Sequence, residues 1–201
     1  MTRRLHPWIL AGALALAGCA SAPLHYYTLV APRAPTSTLT PAPYAFELMP
    51  VGVPAQVDVP QLVVRAGGQG MQVLNGQRWI APLGDEIRSA VSADLAHALG
   101  VADLSGLPAD GKPRLRIKLD VRRFESVPGQ RALIDAAWSL RRVGDGNQPA
   151  LACTSRVSET VGSGYDALVA GHQQALAALA QRIAVAARGY EAGRSTECPA
   201  D

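Results

Sequence analysis

The 201 residues contain no G-x-S-x-G elbow, no H-E-x-x-H pair, no Walker phosphate loop and no Cys/His nucleophile arrangement. Each absence removes a reaction class, and together they point away from an enzyme: no catalytic residues and no cofactor are expected. Beyond His6 near the start, the histidines are His25, His97 and His172, spread over three segments with no acid or nucleophile at motif spacing. Cysteine is scarce, with three in the chain, and none has the paired Cys/His spacing that zinc uses, so no metal is expected either. Apolar runs are short. The longest near the start, Trp8 to Leu16, falls well below the roughly 20 residues of a spanning helix. The formal charge is +3, and it includes Arg3 and Arg4, which lie ahead of that run. Nucleic acid is therefore not an expected partner, since phosphate binding needs a concentrated basic excess.

What is present begins with Leu16-Ala17-Gly18-Cys19, a small-residue run ending in cysteine behind the apolar segment. With Arg3 and Arg4 as a basic leader, this is the pattern that a lipoprotein signal peptidase cuts, so residues 1–18 read as a signal peptide and Cys19 as the acylated first residue. Several acyl chains, at about 0.8 kcal/mol per buried methylene, anchor far more firmly than one. An ordinary signal peptide with a chance cysteine nearby is the plainer alternative. Ala20 follows the cysteine where an acidic residue would favour inner-membrane retention, so the expected location is the outer membrane, facing the periplasm. In that oxidising compartment Cys153 and Cys198 form an even pair and a candidate disulfide; two separate thiols remain the alternative.

Removing 18 residues from 201 leaves 183, enough for one domain with a real core. The expected organisation is one domain over 19–190 and a flexible tail over 191–201. The fold expected is α+β: a mainly antiparallel sheet with two helices packed on one face, in the order strands, helix, strands, helix. A first short strand lies at His25 to Val30, close to the lipid, and the Pro-rich stretch 33–43 reads as a surface loop. Phe46, Leu48 and Val51 suggest a second strand, Leu62 to Arg65 a third and Met71 to Leu74 a fourth. Gly67, Gly68 and Gly70 fit a hairpin between the last two better than a phosphate-cradling loop, which would need a helix on one side.

Arg78, Trp79 and Pro82 read as the opening of the first helix, whose apolar stripe is Leu83, Ile87, Val91, Leu95 and Ala98, with Gly100 as C-terminal cap. Trp79 is expected as a core anchor, with ligand stacking as the alternative. Leu115, Ile117, Leu119 and Val121 then alternate with Arg114, Arg116, Lys118, Asp120 and Arg122, the pattern of a strand with one wet face. Two further strands follow, around Trp138 and from Leu151 to Val161. The four basic residues of that first strand are expected on one outer face, either simply solvated or facing an anionic partner. Ser163 to Asp166 resembles a capping box ahead of the last helix, whose stripe includes His172 and which Gly189 is expected to break. His172 reads as a hydrogen-bonded or partly exposed residue.

The lipobox, Tyr26-Tyr27-Thr28-Leu29, the Leu62 to Arg65 strand, Arg78-Trp79 followed by Pro82-Leu83, Arg123-Phe124, Trp138 and the helix at Tyr165 together resemble the PqiC family of ABC-type transport auxiliary lipoproteins. The resemblance runs in order from Cys19 to about Arg188. It implies a non-catalytic outer-membrane subunit of a system that moves lipid between membranes. The implied partners are an MCE-domain tunnel protein and an integral inner-membrane component, with several copies of the chain forming a ring. The Pro-rich loop and the Cys153/Cys198 pair are departures from the family pattern. Two other classes remain: an interaction module that activates a cell-wall synthase, and a periplasmic hydrolase.

Overall fold

The computed structural model describes residues 23–32, 40–108, 111, 113–144, 148–193 and 197–199. The expected lipidation site, Cys19, lies outside the described residues, as does most of the Pro-rich stretch. Seven strands and two helices follow in order: β1 (His25–Tyr27), β2 (Ala45–Leu48), β3 (Gln61–Arg65), β4 (Met71–Trp79), α1 (Leu83–Leu99), β5 (Arg114–Val127), β6 (Arg131–Val143), β7 (Leu151–Thr160) and α2 (Tyr165–Glu191). The fold is α+β, with the strands divided between two sheets. A four-stranded sheet has the order β2-β5-β6-β7 and a three-stranded sheet the order β1-β4-β3. Within the first, β5, β6 and β7 are antiparallel neighbours, and β2 joins the edge of β5 in parallel.

Alternation sets the core face of β5: Leu115, Ile117 and Leu119 are fully buried and Val121 nearly so, while Arg116, Lys118, Asp120 and Arg122 are exposed. Between Val121 and Arg123 the register with β6 shifts by one residue. This bulge flips the parity of everything after it, so Phe124 and Ser126 turn inward where unbroken alternation would turn them out. Arg114 departs from the sequence pattern in the other sense. It is 5 % exposed, because its guanidinium reaches the Glu47 carboxylate at 3.1 Å and the carbonyls of Leu107 and Pro108. A charge held by that many partners tolerates burial. The expected outer row of four cations is therefore Arg116, Lys118 and Arg122.

β4 is longer than the four residues its pattern suggests. Trp79 is its last residue and does not open the helix: its N–H donates to Pro60 O at 2.9 Å and it pairs in parallel with Tyr27. The β3–β4 hairpin turns through Gly67 and Gly68, both at positive φ (89° and 51°), a conformation that glycine adopts without steric cost. Pro82 is the N-cap of α1, and Gly100 closes the helix in the left-handed region at φ 69°. α2 starts after Gly164 with no side-chain cap, so Ser163 to Asp166 does not form a capping box. It also runs past Gly189 to Glu191. An interior glycine costs about 1 kcal/mol, which is outweighed by the burial of Tyr190, wholly enclosed and donating to Pro149 O at 3.0 Å.

Helix α2 lies across the inner face of β6 and β7, and α1 packs alongside it. One continuous core joins both helices to both sheets. Along β7, Cys153 is bonded to Cys198, Cys198 Sγ lies 3.4 Å from Ala152 O, and Arg182 on α2 donates to Arg156 O at 3.1 Å.

Candidate functional site

The residues singled out in the sequence fall into three places. Tyr27, Leu29, Trp79 and Pro82 meet where β1, β4 and the start of α1 converge. Tyr26 and Arg78 are direct partners on the opposite, outward face of the three-stranded sheet. Trp138 stands apart on β6, buried, with Nε1 donating to Ser155 Oγ at 3.1 Å.

At the convergence, each motif residue has a structural task. Tyr27 pairs with Trp79, its carbonyl accepts from Ile80 N at 2.9 Å, and its hydroxyl donates to Gln77 Oε1 at 2.7 Å. Burial and then the nearby Asp166 carboxylate raise the Tyr27 phenol above its ordinary pKa, so it stays protonated. Leu29 is buried beyond it. Thr28 Oγ1 and Leu29 N both donate to Glu86 Oε2 at 2.8 Å. Glu86 sits in the first turn of α1, where a carboxylate also suits the helix dipole, and it is 5 % exposed. Sequence reading missed it, because a carboxylate in the first turn of a helix ordinarily faces water.

Below the convergence an aromatic column ties three elements together. Trp79 on β4 meets Phe124 on β5 edge-on, ring centroids 6.1 Å apart, and Phe124 stacks on His172 of α2 at 3.9 Å. His172 is fully buried, with Nε2 2.8 Å from Ser126 Oγ and no partner at Nδ1. Burial pushes its imidazole down to about 3, so the ring is neutral. A neutral histidine walled in by Phe124 has no access to a substrate, and its place is in the core. Trp79 is likewise an anchor and not a stacking platform.

One surface open to a partner among the described residues is the outer face of the four-stranded sheet, where the side chains opposite the helices stay exposed. A depression of about 520 Å3 lies there, bordered by Lys118, Asp120, Arg122, Ala137, Ser139 and Thr154, with Cys198 at its rim. Arg116 is tied to Glu47 at 3.2 Å, whereas Lys118 and Arg122 have no ion-pair partner among the described residues. Small side chains on β6 and β7 make the floor, and the two unpaired cations stand over it.

A second charged cluster sits at the far end of β5. Glu125 accepts from Arg123 at 2.6 Å and from Arg65 and Arg131 at 3.2 Å each. The Arg123 hydrogen bond, followed against burial by the other guanidiniums, pulls the Glu125 carboxyl down to about 2. Three cations around one anion leave the cluster positive. A third polar knot fixes the end of β2. Burial works to raise the Asp103 carboxyl, but hydrogen bonds from Ser105, Ser92 and Leu48 N prevail and lower it. Among the described residues no cluster of three or more His, Cys, Asp or Glu is placed to hold a metal ion, and no helix is long and apolar enough to cross a membrane.

A family model described as ABC-type transport auxiliary lipoprotein component matches residues 27–184. No curated protein matches the chain. Among solved structures, the crystal structure of an uncharacterized protein superposes with a TM-score of 0.65 at 18% identity, covering 83% of this chain and 99% of its own. A Xanthomonas campestris protein described by the family DUF330 gives a TM-score of 0.60 at 23% identity, covering 85% of this chain and 100% of its own. At these identities the likeness is one of fold.

Proposed function

The chain belongs to the ABC-type transport auxiliary lipoprotein component family, and from that premise we propose that it is a non-catalytic outer-membrane subunit of a system moving lipid between two membranes. In this reading residues 1–18 are removed and Cys19 carries the lipid. The domain over 19–190 faces the periplasm and docks, as several copies in a ring, on an MCE-domain tunnel protein whose system includes an inner-membrane component. It acts as a collar and not as a carrier.

The observation that carries the collar reading is a charged, exposed sheet face set against one continuous apolar core. Side chains from both sheets and both helices interlock in one core, whereas a carrier must keep an apolar cavity open for acyl chains. The outer depression is instead bordered by Lys118, Asp120 and Arg122 over Ala137, Ser139 and Thr154. Cations with no ion-pair partner among the described residues, over small side chains, suit a partner's acidic surface, and charges of this kind set partner choice and association rate.

The test is crosslinking in cells from positions beside the depression, with and without the pair Lys118→Glu and Arg122→Glu. The expected result is a crosslink to an MCE-domain protein that the charge reversal weakens several-fold while the domain stays folded. A crosslink to a cell-wall synthase, or stoichiometric phospholipid on the purified protein with no crosslinked tunnel protein, would reverse the assignment. In parallel, Cys19→Ser should abolish labelled-palmitate incorporation. A variant that still takes up label and still fractionates with the outer membrane would remove the anchor from the scheme.

A further inference from the structure

We propose that the outward face of the three-stranded sheet rests on the phospholipid surface to which the chain is tethered, with apolar side chains at the headgroup boundary and arginines on the headgroup phosphates. This deepens the reading of Cys19 as an acylated anchor and rests on it.

The face is apolar where a solvated sheet would be polar. Tyr26, Met71 and Val73 are 55%, 45% and 49% exposed, and Leu24, just before β1, is 47% exposed. Their side is fixed by pairing. Tyr27 shares the core side with Trp79, so Tyr26 and its partner Arg78 point out. The pairing shifts register between Gln61, opposite Arg78, and Leu62, opposite Leu74, so alternation along β4 breaks over residues 75–77 and Leu74 lies on the core side as Trp79 does. Val73 lies on the other side with its partner Val63, which is itself buried, so the open part of this face is on β4 and β1. Met71, two residues before Val73, falls on the same side as its partner Arg65. Elsewhere among the described residues, exposed large apolar side chains such as Met49, Leu107 and Val185 are scattered over separate elements. A gathered apolar face marks a contact surface in a way that scattered residues do not.

Its cations fit a phosphate surface. Arg78 lies among the apolar residues with no ion-pair partner among the described residues and with Nε unpaired. Arg65 brings in the cluster at Glu125, where Arg123 and Arg131 complete a group of three cations on one anion. Guanidiniums pair well with phosphate oxygens. Apolar side chains beside basic ones are the pattern of a protein surface seated at the headgroup layer.

The tether brings that face to the membrane. The described chain begins at Pro23, whose carbonyl packs against Gly76 of β4, 3.7 Å from where a Cβ would stand. Whatever path the intervening residues take, Cys19 lies within roughly 14 Å of Pro23, four residues at full extension. The lipid is thus attached beside this sheet, whereas the depression lies on the other, four-stranded sheet.

The experiment uses the full-length acylated protein in vesicles of phosphatidylethanolamine and phosphatidylglycerol containing brominated acyl chains. Met71→Cys, Val73→Cys and, as a control on α2, Val185→Cys each carry an environment-sensitive fluorophore. Acylation occupies Cys19 and the disulfide occupies Cys153 and Cys198, so the new thiol is the one labelled. Quenching several-fold stronger at 71 and 73 than at 185 is expected, and Arg78→Gln with Arg131→Gln should reduce it. Acylated protein whose labels at 71 and 73 are no more quenched than at 185 overturns the face proposal alone. Crosslinks from these positions to another copy or to a periplasmic protein overturn it in favour of a protein interface. If mass spectrometry finds no acyl chains on the purified protein, the anchor reading itself fails and the face proposal falls with it.

Discussion

His172 makes acid sensitivity a quantitative test of the packing. Its imidazole is enclosed by Phe124 and Ser126, and burial holds it at about 3 against an ordinary value of 6.5. Between those values the unfolded chain binds a proton that the folded chain refuses, so stability rises with pH across the window. Above 6.5 there is no penalty; below it the penalty grows by about 1.4 kcal/mol per pH unit until the folded ring protonates. From about pH 7 to about pH 5 the loss is about 2 kcal/mol, a large share of the 5–15 kcal/mol that holds a typical domain together. The carboxyls of Glu125 and Asp103 are held below their ordinary values, so what they contribute is lost only at still lower pH. Urea melts of the protein across this range should show the slope. His172→Gln keeps a group that can bond Ser126 and removes the titration. The variant should start less stable, because the stack on Phe124 is lost, but its stability should be nearly flat over the same interval. A slope in His172→Gln equal to that of the wild type would refute the buried neutral histidine, because the Glu191 carboxyl, which burial raises and which acts in the opposite sense, is common to both.

Other substitutions probe separate contacts. Trp79→Ala empties the site between β4 and Phe124 and should cost about 3–5 kcal/mol in denaturant melts; a loss below about 1 kcal/mol would make Trp79 a surface contact. Gly171→Ala should destabilise although alanine favours helix by about 1 kcal/mol, because the added Cβ would collide with Val161 Cγ1 and crowd Ala132 Cβ. The overpacking costs about 1–3 kcal/mol, and a net gain in melting temperature would show that α2 can shift away from the sheet. Cys198→Ser opens a crosslink spanning 45 residues and should cost up to about 4 kcal/mol on the chain-entropy estimate. If adding reductant to the wild type left its melting temperature unchanged, the crosslink would have no such role.

Sequence pattern was most informative where one rule acted alone. The alternation from Leu115 to Val121, the stripe from Leu83 to Ala98 and the stop at Gly100 report local geometry, and the elements lie where those rules put them. Pattern fell short where distant chain decided the matter. β1 and β2 are three and four residues long, and their parallel partners are chosen by packing that no local period encodes. Arg114 looks like an outward residue until Glu47 and two loop carbonyls are brought to it. The bulge did leave a trace: the doublet Arg122-Arg123 breaks the alternation one residue before Phe124, and reading it would have turned Phe124 and Ser126 inward. At the candidate site, Tyr27 and Trp79 were legible one by one and their meeting was not, nor was Glu86, whose partners come from the segment just after β1, more than fifty residues earlier.

Strand β7 is the outer edge of the four-stranded sheet, and such an edge is a template on which another chain can add a strand. Here Arg156 O accepts from Arg182 within the chain, and the disulfide sulfur of Cys198 lies 3.4 Å from Ala152 O. With the tail bonded to Cys153 beside them, an incoming strand would have to displace a guanidinium and bend around a covalent bridge. If lipid-anchored copies gather on one membrane, as proposed, strand addition through β7 is disfavoured between them. Any ring they form must be assembled through side chains or another edge, which keeps the subunits separable.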